Sequence, residues 1–234
     1  MGPKKKKYTP NTDHLFEPRF EKDVYHPCAD SFTMMDALEE DLQFILHRRP
    51  TVCLEVGSGS GVITAFLQRR LTECQHHCAY LSCDINDKAA QASVITYHTN
   101  DVPCDMLLSD FGQALLPRLH WGVDVLLFNP PYVPTGPDEL HSSGIEAAWA
   151  GGMDGMEVVD AFLPIADRLL APQGLFYLVL IEQNKPKQLL SRVLETYGWQ
   201  GEIIFRHQCG ERLYILRFFR QSKADSGKQI EGQE

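Results

Sequence analysis

Val123-Asp124-Val125-Leu126-Leu127-Phe128-Asn129-Pro130-Pro131-Tyr132 is an apolar run that stops on two prolines. A run of this kind reads as a strand buried on both faces of a sheet. Proline lacks the backbone donor and fixes its own φ, so the chain continues neither as ladder nor as helix. It must leave the sheet at the carboxyl edge, where open α/β folds hold their ligands. Asn129 stands at that edge with one acceptor oxygen and two donor hydrogens, and Tyr132 adds a flat ring a few residues on. Such an exit suits a planar, neutral nitrogen group. An amide or exocyclic amine nitrogen is a poor nucleophile, because its lone pair is delocalised. Two carbonyl acceptors, the Asn129 side chain and the Pro130 backbone, can hold its two N–H groups. They then aim the lone pair at an electrophile and stabilise positive charge growing on nitrogen. An activated methyl, as in a sulfonium, needs no strong general base. An ordinary Asn-Pro turn at a strand end is the plainer alternative, and the rest of the chain decides against it.

Working outward, Val52-Cys53-Leu54-Glu55-Val56 is a short buried strand, followed by Gly57-Ser58-Gly59-Ser60-Gly61 and a helix over 62–70. Residues 79–83 form a second strand closing on Asp84, 88–98 a helix, and 105–109 a third strand closing on Asp110. Upstream, Phe32, Met35, Leu38, Leu42 and Leu46 mark one helix face, which Asp30 or Ser31 caps and Arg49-Pro50 ends. Downstream come a Gly-rich loop over 134–155, a helix over 156–170 stopped by Pro172-Gln173-Gly174, and a strand over 175–181. A helix over 186–197 and strands over 203–206 and 213–219 complete the pattern. Strands alternating with helices give a Rossmann-like α/β fold. The expected sheet is seven-stranded and mostly parallel, with helices on both faces and a terminal antiparallel hairpin.

A length of 234 residues suits one domain with a large core, and 44% hydrophobic with 23% charged residues are globular values. Residues 24–220 are expected to form that domain, between flexible tails over 1–23 and 221–234. No apolar run approaches membrane-spanning length, and no secretory leader opens the chain. Seven scattered cysteines read as reduced thiols, which places the chain in the cytoplasm. The run Lys4-Lys5-Lys6-Lys7 reads as a solvated tail, with a nuclear signal as its alternative. A net charge of -9 makes nucleic acid an unlikely partner. Cys74-Gln75-His76-His77-Cys78 crowds four soft ligands into five residues, too close to surround one ion, and reads as a polar connector rather than a metal site.

The glycine loop lets backbone approach a ligand closely, but Val62 breaks the dinucleotide spacing Gly-x-Gly-x-x-Gly. Gly57, Gly59 and Gly61 behind Glu55 suit a ligand that carries an amino group and no pyrophosphate. Asp84 is placed to accept hydrogen bonds from two ribose hydroxyls. Asp110 and Phe111 suit an adenine, by its amino group and one ring face. Acids ending three strands and an asparagine ending the fourth make one connected site along a sheet edge.

Four motifs occur in order: Glu55 to Gly61, Asp84-Ile85-Asn86, Phe128 to Tyr132, and Gly144-Ile145-Glu146-Ala147-Ala148-Trp149-Ala150-Gly151-Gly152. Together they resemble a class I S-adenosylmethionine methyltransferase, and more closely the HemK-like release-factor glutamine methyltransferases of eukaryotes and archaea. The resemblance covers about residues 24–217. It implies that Glu55, Gly57, Gly59 and Gly61 hold the methionine part of S-adenosylmethionine, with Ser31 assisting. It gives Asp84 and Ile85 to the ribose, and Asp110 and Phe111 to the adenine. Asn129, Pro130 and Tyr132 would be catalytic: Asn129, which also touches the cofactor, and Pro130 orient the acceptor amide, Tyr132 packs on it, and Pro131 joins them in the substrate site. Val24-Tyr25-His26-Pro27 resembles the segment lining the acceptor pocket, so Tyr25 joins the substrate residues; the family more often has an acid at 26 and Glu-Asp at 29–30.

In the family, the acceptor is the glutamine of the Gly-Gly-Gln loop of the class 1 release factor, methylated on its side-chain nitrogen to leave S-adenosylhomocysteine. Glutamine ranks first, lysine second because it must lose a proton with no evident base near Asn129, and adenine N6 last. The resemblance also implies a heterodimer with a small zinc-containing activator. Cys104-Asp105-Met106-Leu107-Leu108 would be an apolar edge strand inviting another chain's strand. Bacterial relatives carry a helical substrate-binding domain for which the short tail here leaves no room. A catalytically idle scaffold of the same fold is the competing reading, and the intact Asn129, Pro130 and Tyr132 count against it.

Overall fold

The computed structural model describes residues 8–136, 148–209 and 211–220. The expected strands form in place: β1 (Val52–Val56), β2 (Ala79–Asp84), β3 (Asp105–Leu108), β4 (Val123–Phe128), β5 (Leu170–Ile181), β6 (Trp199–Cys209) and β7 (Glu211–Arg220). They make one sheet in the order 3-2-1-4-5-7-6. The first five strands run parallel, and β7 pairs antiparallel with both β5 and β6. The order reverses between β1 and β4, and such a reversal opens a crevice at the carboxyl ends of the two strands. Val56 lies opposite Phe128 in register, so Gly57 and Asn129 leave the sheet side by side.

Helices cover both faces. Among the described residues these are α1 (Ala29–Glu40), α2 (Leu42–His47), α3 (Val62–Glu73), α4 (Asp87–Thr99), α5 (Leu116–Leu119), α6 (Glu157–Leu169) and α7 (Pro186–Tyr197). One apolar cluster joins the sheet to α6 and α7 through Phe128, Phe162, Phe176 and Trp199. The other joins the opposite face to α1 and α3 through Met34, Leu38, Phe66 and Tyr177. Strand β3 is one edge of the sheet and only half-buried, with Leu108 63% exposed.

Several boundaries differ from expectation for physical reasons. The single helix expected before Pro50 breaks at Asp41, whose carboxylate turns toward the sheet. It accepts from Tyr177 Oη (2.5 Å) and pairs with Arg217, whose guanidinium lies 3.7 Å from the centre of the Phe44 ring. Cys28, not Asp30 or Ser31, is the N-cap, and both polar residues sit buried inside the first turn. Pro172-Gln173-Gly174 does not separate helix from strand. It is a bulge inside β5, where pairing with β4 jumps from Val123↔Leu170 to Val125↔Leu175.

Residues 8–23, expected as part of a flexible tail, pack against the domain. A short 3-10 helix (Asp13–Phe16) brings Leu15, Phe20 and Val24 against Ala89 and Ala92 of α4, all buried. Asn86 ties this strap down by donating from Nδ2 to the Asp23 carbonyl (2.8 Å). The Lys4–Lys7 run, residues 144–147 of the fourth motif and the tail over 221–234 lie outside the described residues.

Candidate functional site

The glycine loop is shaped by its neighbours on β2 and α4. Gly57 and Ser58 donate their N–H groups to the Cys83 carbonyl, at 2.8 and 3.1 Å. Gly59 donates its N–H to Asp84 Oδ2 (2.8 Å), while Asp84 Oδ1 accepts from Asn86 N–H (2.9 Å). All three glycines have positive φ, yet they do different work. At Gly59 an added Cβ would meet nothing within 4 Å, whereas at Gly57 it would lie 3.4 Å from the Phe128 ring. At Gly61 it would come within 2.9 Å of the Tyr97 ring and 3.0 Å of Ser93 Cα. Gly61 therefore lets α3 start hard against α4, and Gly57 and Gly59 form the open part of the cradle.

The acids that end the strands occupy distinct settings. Glu55 is buried and its Oε2 accepts from both Thr64 N–H (3.0 Å) and Thr64 Oγ1 (2.5 Å). Burial pushes its carboxyl up to about 8, against the pull of the two Thr64 donors. Burial also raises Asp84, opposed by the backbone N–H groups of Asn86 and Gly59. Each Asp84 oxygen holds one backbone donor and keeps acceptor capacity for another. Ile85 beside it is 72% exposed at the rim. Ser109 N–H donates to the Asp84 carbonyl (2.9 Å), which brings the exposed Asp110 alongside. Phe111 follows in the left-handed region (φ 49°) with its ring against Phe128 and Phe162. This set fits a nucleoside carrying an aminoacyl-like tail: a glycine loop with open space at Gly59, a carboxyl with spare acceptor capacity on the next strand, then an acid and an aromatic ring.

Across the crevice, Asn129 and Tyr132 are gripped by a residue the sequence reading treated only as a helix cap. Asp30 is buried, and its Oδ2 accepts from Asn129 Nδ2 (2.9 Å) and from Tyr132 Oη (3.2 Å). Its Oδ1 accepts from Ser31 N–H (2.6 Å), with Ser31 Oγ and Cys28 Sγ each at 3.3 Å. Cys28 Sγ lies 2.6 Å from Tyr25 Oη, so Tyr25, Cys28, Asp30 and Asn129 form one connected chain. Ser31 therefore reaches the Asn129 side of the crevice through Asp30. Tyr132 is itself buried, and what it brings to the cluster is the grip of its hydroxyl on Asp30.

Among the described residues, Asn129 Oδ1 is buried without a hydrogen-bond partner. Such an acceptor is disfavoured by about 1–3 kcal/mol unless a donor arrives. Pro130, having no N–H, contributes only a carbonyl to the same exit.

A second residue missed in the sequence fixes the backbone of this loop. Asn184, buried just after β5, donates from Nδ2 to the Tyr132 carbonyl (2.9 Å) and the Asp154 carbonyl (3.0 Å), while its Oδ1 accepts from Ile181 N–H (2.8 Å). Gly155 must be glycine, because an added Cβ would lie 2.0 Å from the Tyr132 carbonyl oxygen. Val133 pairs with Ala150, its N–H donating to the Trp149 carbonyl (2.9 Å), so the returning arm of the fourth motif straps the exit. The spacing of Gly151, Gly152 and Gly155 was the available signal for this close packing; Asn184 left none beyond an asparagine two residues before a proline.

Comparison with known proteins gives the following likenesses. Human methyltransferase HEMK2 is 44% identical over 211 residues, 90% of this chain and 95% of that protein. The eRF1 methyltransferase catalytic subunit mtq2 of Schizosaccharomyces pombe is 34% identical over 226 residues, 91% of this chain and 95% of its own length. A solved chain from the E. cuniculi Mtq2-Trm112 complex, responsible for methylation of the eRF1 translation termination factor, shares the fold with a TM-score of 0.62. It is 29% identical, over 85% of this chain and 99% of that one. At lower identity the fold is shared with methyltransferases solved with AdoMet or S-adenosylhomocysteine. No family model matches the chain.

Proposed function

The chain belongs to the family of methyltransferase HEMK2 and the eRF1 methyltransferase subunit mtq2, and from that premise we propose that it methylates the side-chain nitrogen of the glutamine in the Gly-Gly-Gln loop of the class 1 release factor. The observation that carries this reading is Asn129: its nitrogen is held by Asp30, its oxygen is buried without a partner among the described residues, and the next residue in the chain, Pro130, offers a carbonyl and no N–H. Two acceptors side by side suit an NH2 group, and in an amide that group is planar and neutral.

S-adenosylmethionine, when bound, supplies a methyl group on a sulfonium. Glu55, Gly57 and Gly59 would hold its methionine part, Asp84 with Ile85 its ribose, and Asp110 with Phe111 its adenine. The chain's own contribution to catalysis is orientation and electrostatics. Asn129 Oδ1 and the Pro130 carbonyl accept the two N–H groups, fix the nitrogen's plane and stabilise positive charge as the nitrogen becomes tetrahedral. No side chain need remove a proton before the attack; the methylated nitrogen, now positive, then sheds one of its N–H protons to solvent to leave the neutral N-methyl amide.

The same reading gives the β3 edge to a small zinc-containing activator. Among the described residues this strand pairs with β2 alone, and with the exposed Leu108 its outer edge suits pairing with another chain's strand.

Peptide-level mass spectrometry tests the acceptor. The chain, reconstituted with its partner and S-adenosylmethionine, is incubated separately with release factor, histone and an adenine-containing oligonucleotide. A single methyl on the Gly-Gly-Gln glutamine is expected. Methyl found only on lysine or on adenine would overturn the reading.

A further inference from the structure

We propose that Asp30 is a positioning residue that sets the polarity of the acceptor site, so that, on the amide-acceptor reading above, the site takes glutamine and rejects the isosteric glutamate. The two ends of an asparagine amide have the same shape and opposite hydrogen-bonding character. Which end faces the substrate decides whether the site asks for a donor or for an acceptor.

Asp30 removes that choice. It is 3% exposed, and its carboxylate accepts hydrogen bonds and donates none. The end of Asn129 that meets Oδ2 must therefore be Nδ2, at 2.9 Å. Tyr132 Oη donates to the same oxygen at 3.2 Å, and the opposite oxygen is anchored by Ser31 N–H at 2.6 Å, so the carboxylate itself cannot turn freely. Asn129 Oδ1 is left as the buried end, with no partner among the described residues. The neighbouring backbone position is Pro130, where no N–H exists to offset it. Both groups presented to the substrate are acceptors. A glutamine NH2 satisfies both of them, whereas a glutamate would press its own oxygens against them.

Asp30→Asn is nearly isosteric and can either donate or accept. It frees Asn129 to turn over and present Nδ2, which suits a carboxylate. The experiment uses the reconstituted complex and two forms of the release factor, one with the native glutamine and one with that residue replaced by glutamate. Wild type methylates the first and is inhibited weakly by the second. In Asp30→Asn, kcat on the glutamine protein falls roughly ten-fold or more with a smaller change in KM, and the glutamate protein inhibits roughly ten-fold or more tightly. S-adenosylmethionine affinity by calorimetry stays within about two-fold. The conservative variant Asp30→Glu keeps an acceptor-only group, so it keeps the discrimination even if its rate is lower.

Unchanged glutamine–glutamate discrimination in Asp30→Asn overturns the polarity role. So does loss of discrimination in Asp30→Glu, or a fall in activity matched by an equal fall in cofactor affinity and Tm. A wild-type complex that leaves the release-factor glutamine unmethylated overturns the acceptor reading, and this inference with it. Wild-type transfer with unaltered discrimination in Asp30→Asn overturns this inference alone.

Discussion

Around Gly57–Gly61, the side chains that fix the loop, Asp84, Ser93 and Thr96, stand 25 to 36 residues downstream on the next strand and helix. Around Asn129–Tyr132 the grips come from Asp30 and Asn184, 99 and 52 residues away, on opposite sides in sequence. The first half of the site is one βαβ unit closing on itself. The second exists only once the whole sheet is assembled, with α1 laid over one side of the exit and the end of β5 over the other. The halves also carry different kinds of incompleteness: an open cradle lined by glycine in one, a buried acceptor without a donor in the other. The division assigns cofactor affinity to the local half and turnover to the assembled half, and each substitution below is placed to separate the two.

The largest effect is expected at Asn129. On the proposed mechanism Asn129→Ala removes an acceptor used as the nitrogen becomes tetrahedral, so kcat should fall roughly 10²- to 10³-fold, with S-adenosylmethionine affinity within a few-fold. Single-turnover rates beside calorimetric titration would show it, and a parallel loss of both would break the division.

Asp84→Ala should do the reverse. It removes the anchor of Gly59 N–H and, on the proposed reading, the carboxyl that holds the ribose, so cofactor Kd should rise by about ten- to a hundred-fold. Turnover at saturating cofactor should survive, and a kcat loss as large as that of Asn129→Ala would contradict the account.

Asn184→Ala leaves the Tyr132 carbonyl and the Ile181 N–H buried without their partner, which should lower stability by about 2 kcal/mol and slow turnover. Thermal melting and kcat together check this, with cofactor Kd expected to hold.

The most gradual effect is a slope with pH. Glu55, raised to about 8 by burial, stays protonated in the folded chain where the unfolded chain has already lost its proton. Its contribution to stability is fully present below the unfolded value and is lost as pH rises through the folded one. Without cofactor, Tm should therefore fall between about pH 5 and 8, and Glu55→Gln should flatten that fall. An identical slope in both proteins would show that another group titrates there.

The sequence made the local half legible because its signals are contiguous: a buried run, glycines at fixed spacing, an acid at the end of the next strand. The exit at Asn129-Pro130-Pro131 was legible for the same reason, since proline declares its own backbone. Asp30 was hidden by a sufficient local explanation, because a polar residue at a helix start reads as a cap. Cys28 is the N-cap instead, and while one Asp30 oxygen holds the Ser31 N–H of its own first turn, the other went to residues 99 and 102 positions away. Leu15 and Phe20 were lost differently. Lone apolar residues in a polar stretch show no period, and only the surface of α4 reveals what they cover. The break at Asp41 also needed a distant partner, Arg217 on the last strand.

The most direct measurement is a structure of the complex with S-adenosylhomocysteine and a Gly-Gly-Gln peptide. The glutamine side-chain nitrogen should lie within about 3 Å of both Asn129 Oδ1 and the Pro130 carbonyl oxygen, with Asn129 Nδ2 still on Asp30 and the nitrogen facing the sulfur. A glutamine nitrogen held elsewhere, or Asn129 turned away from it, would contradict the account.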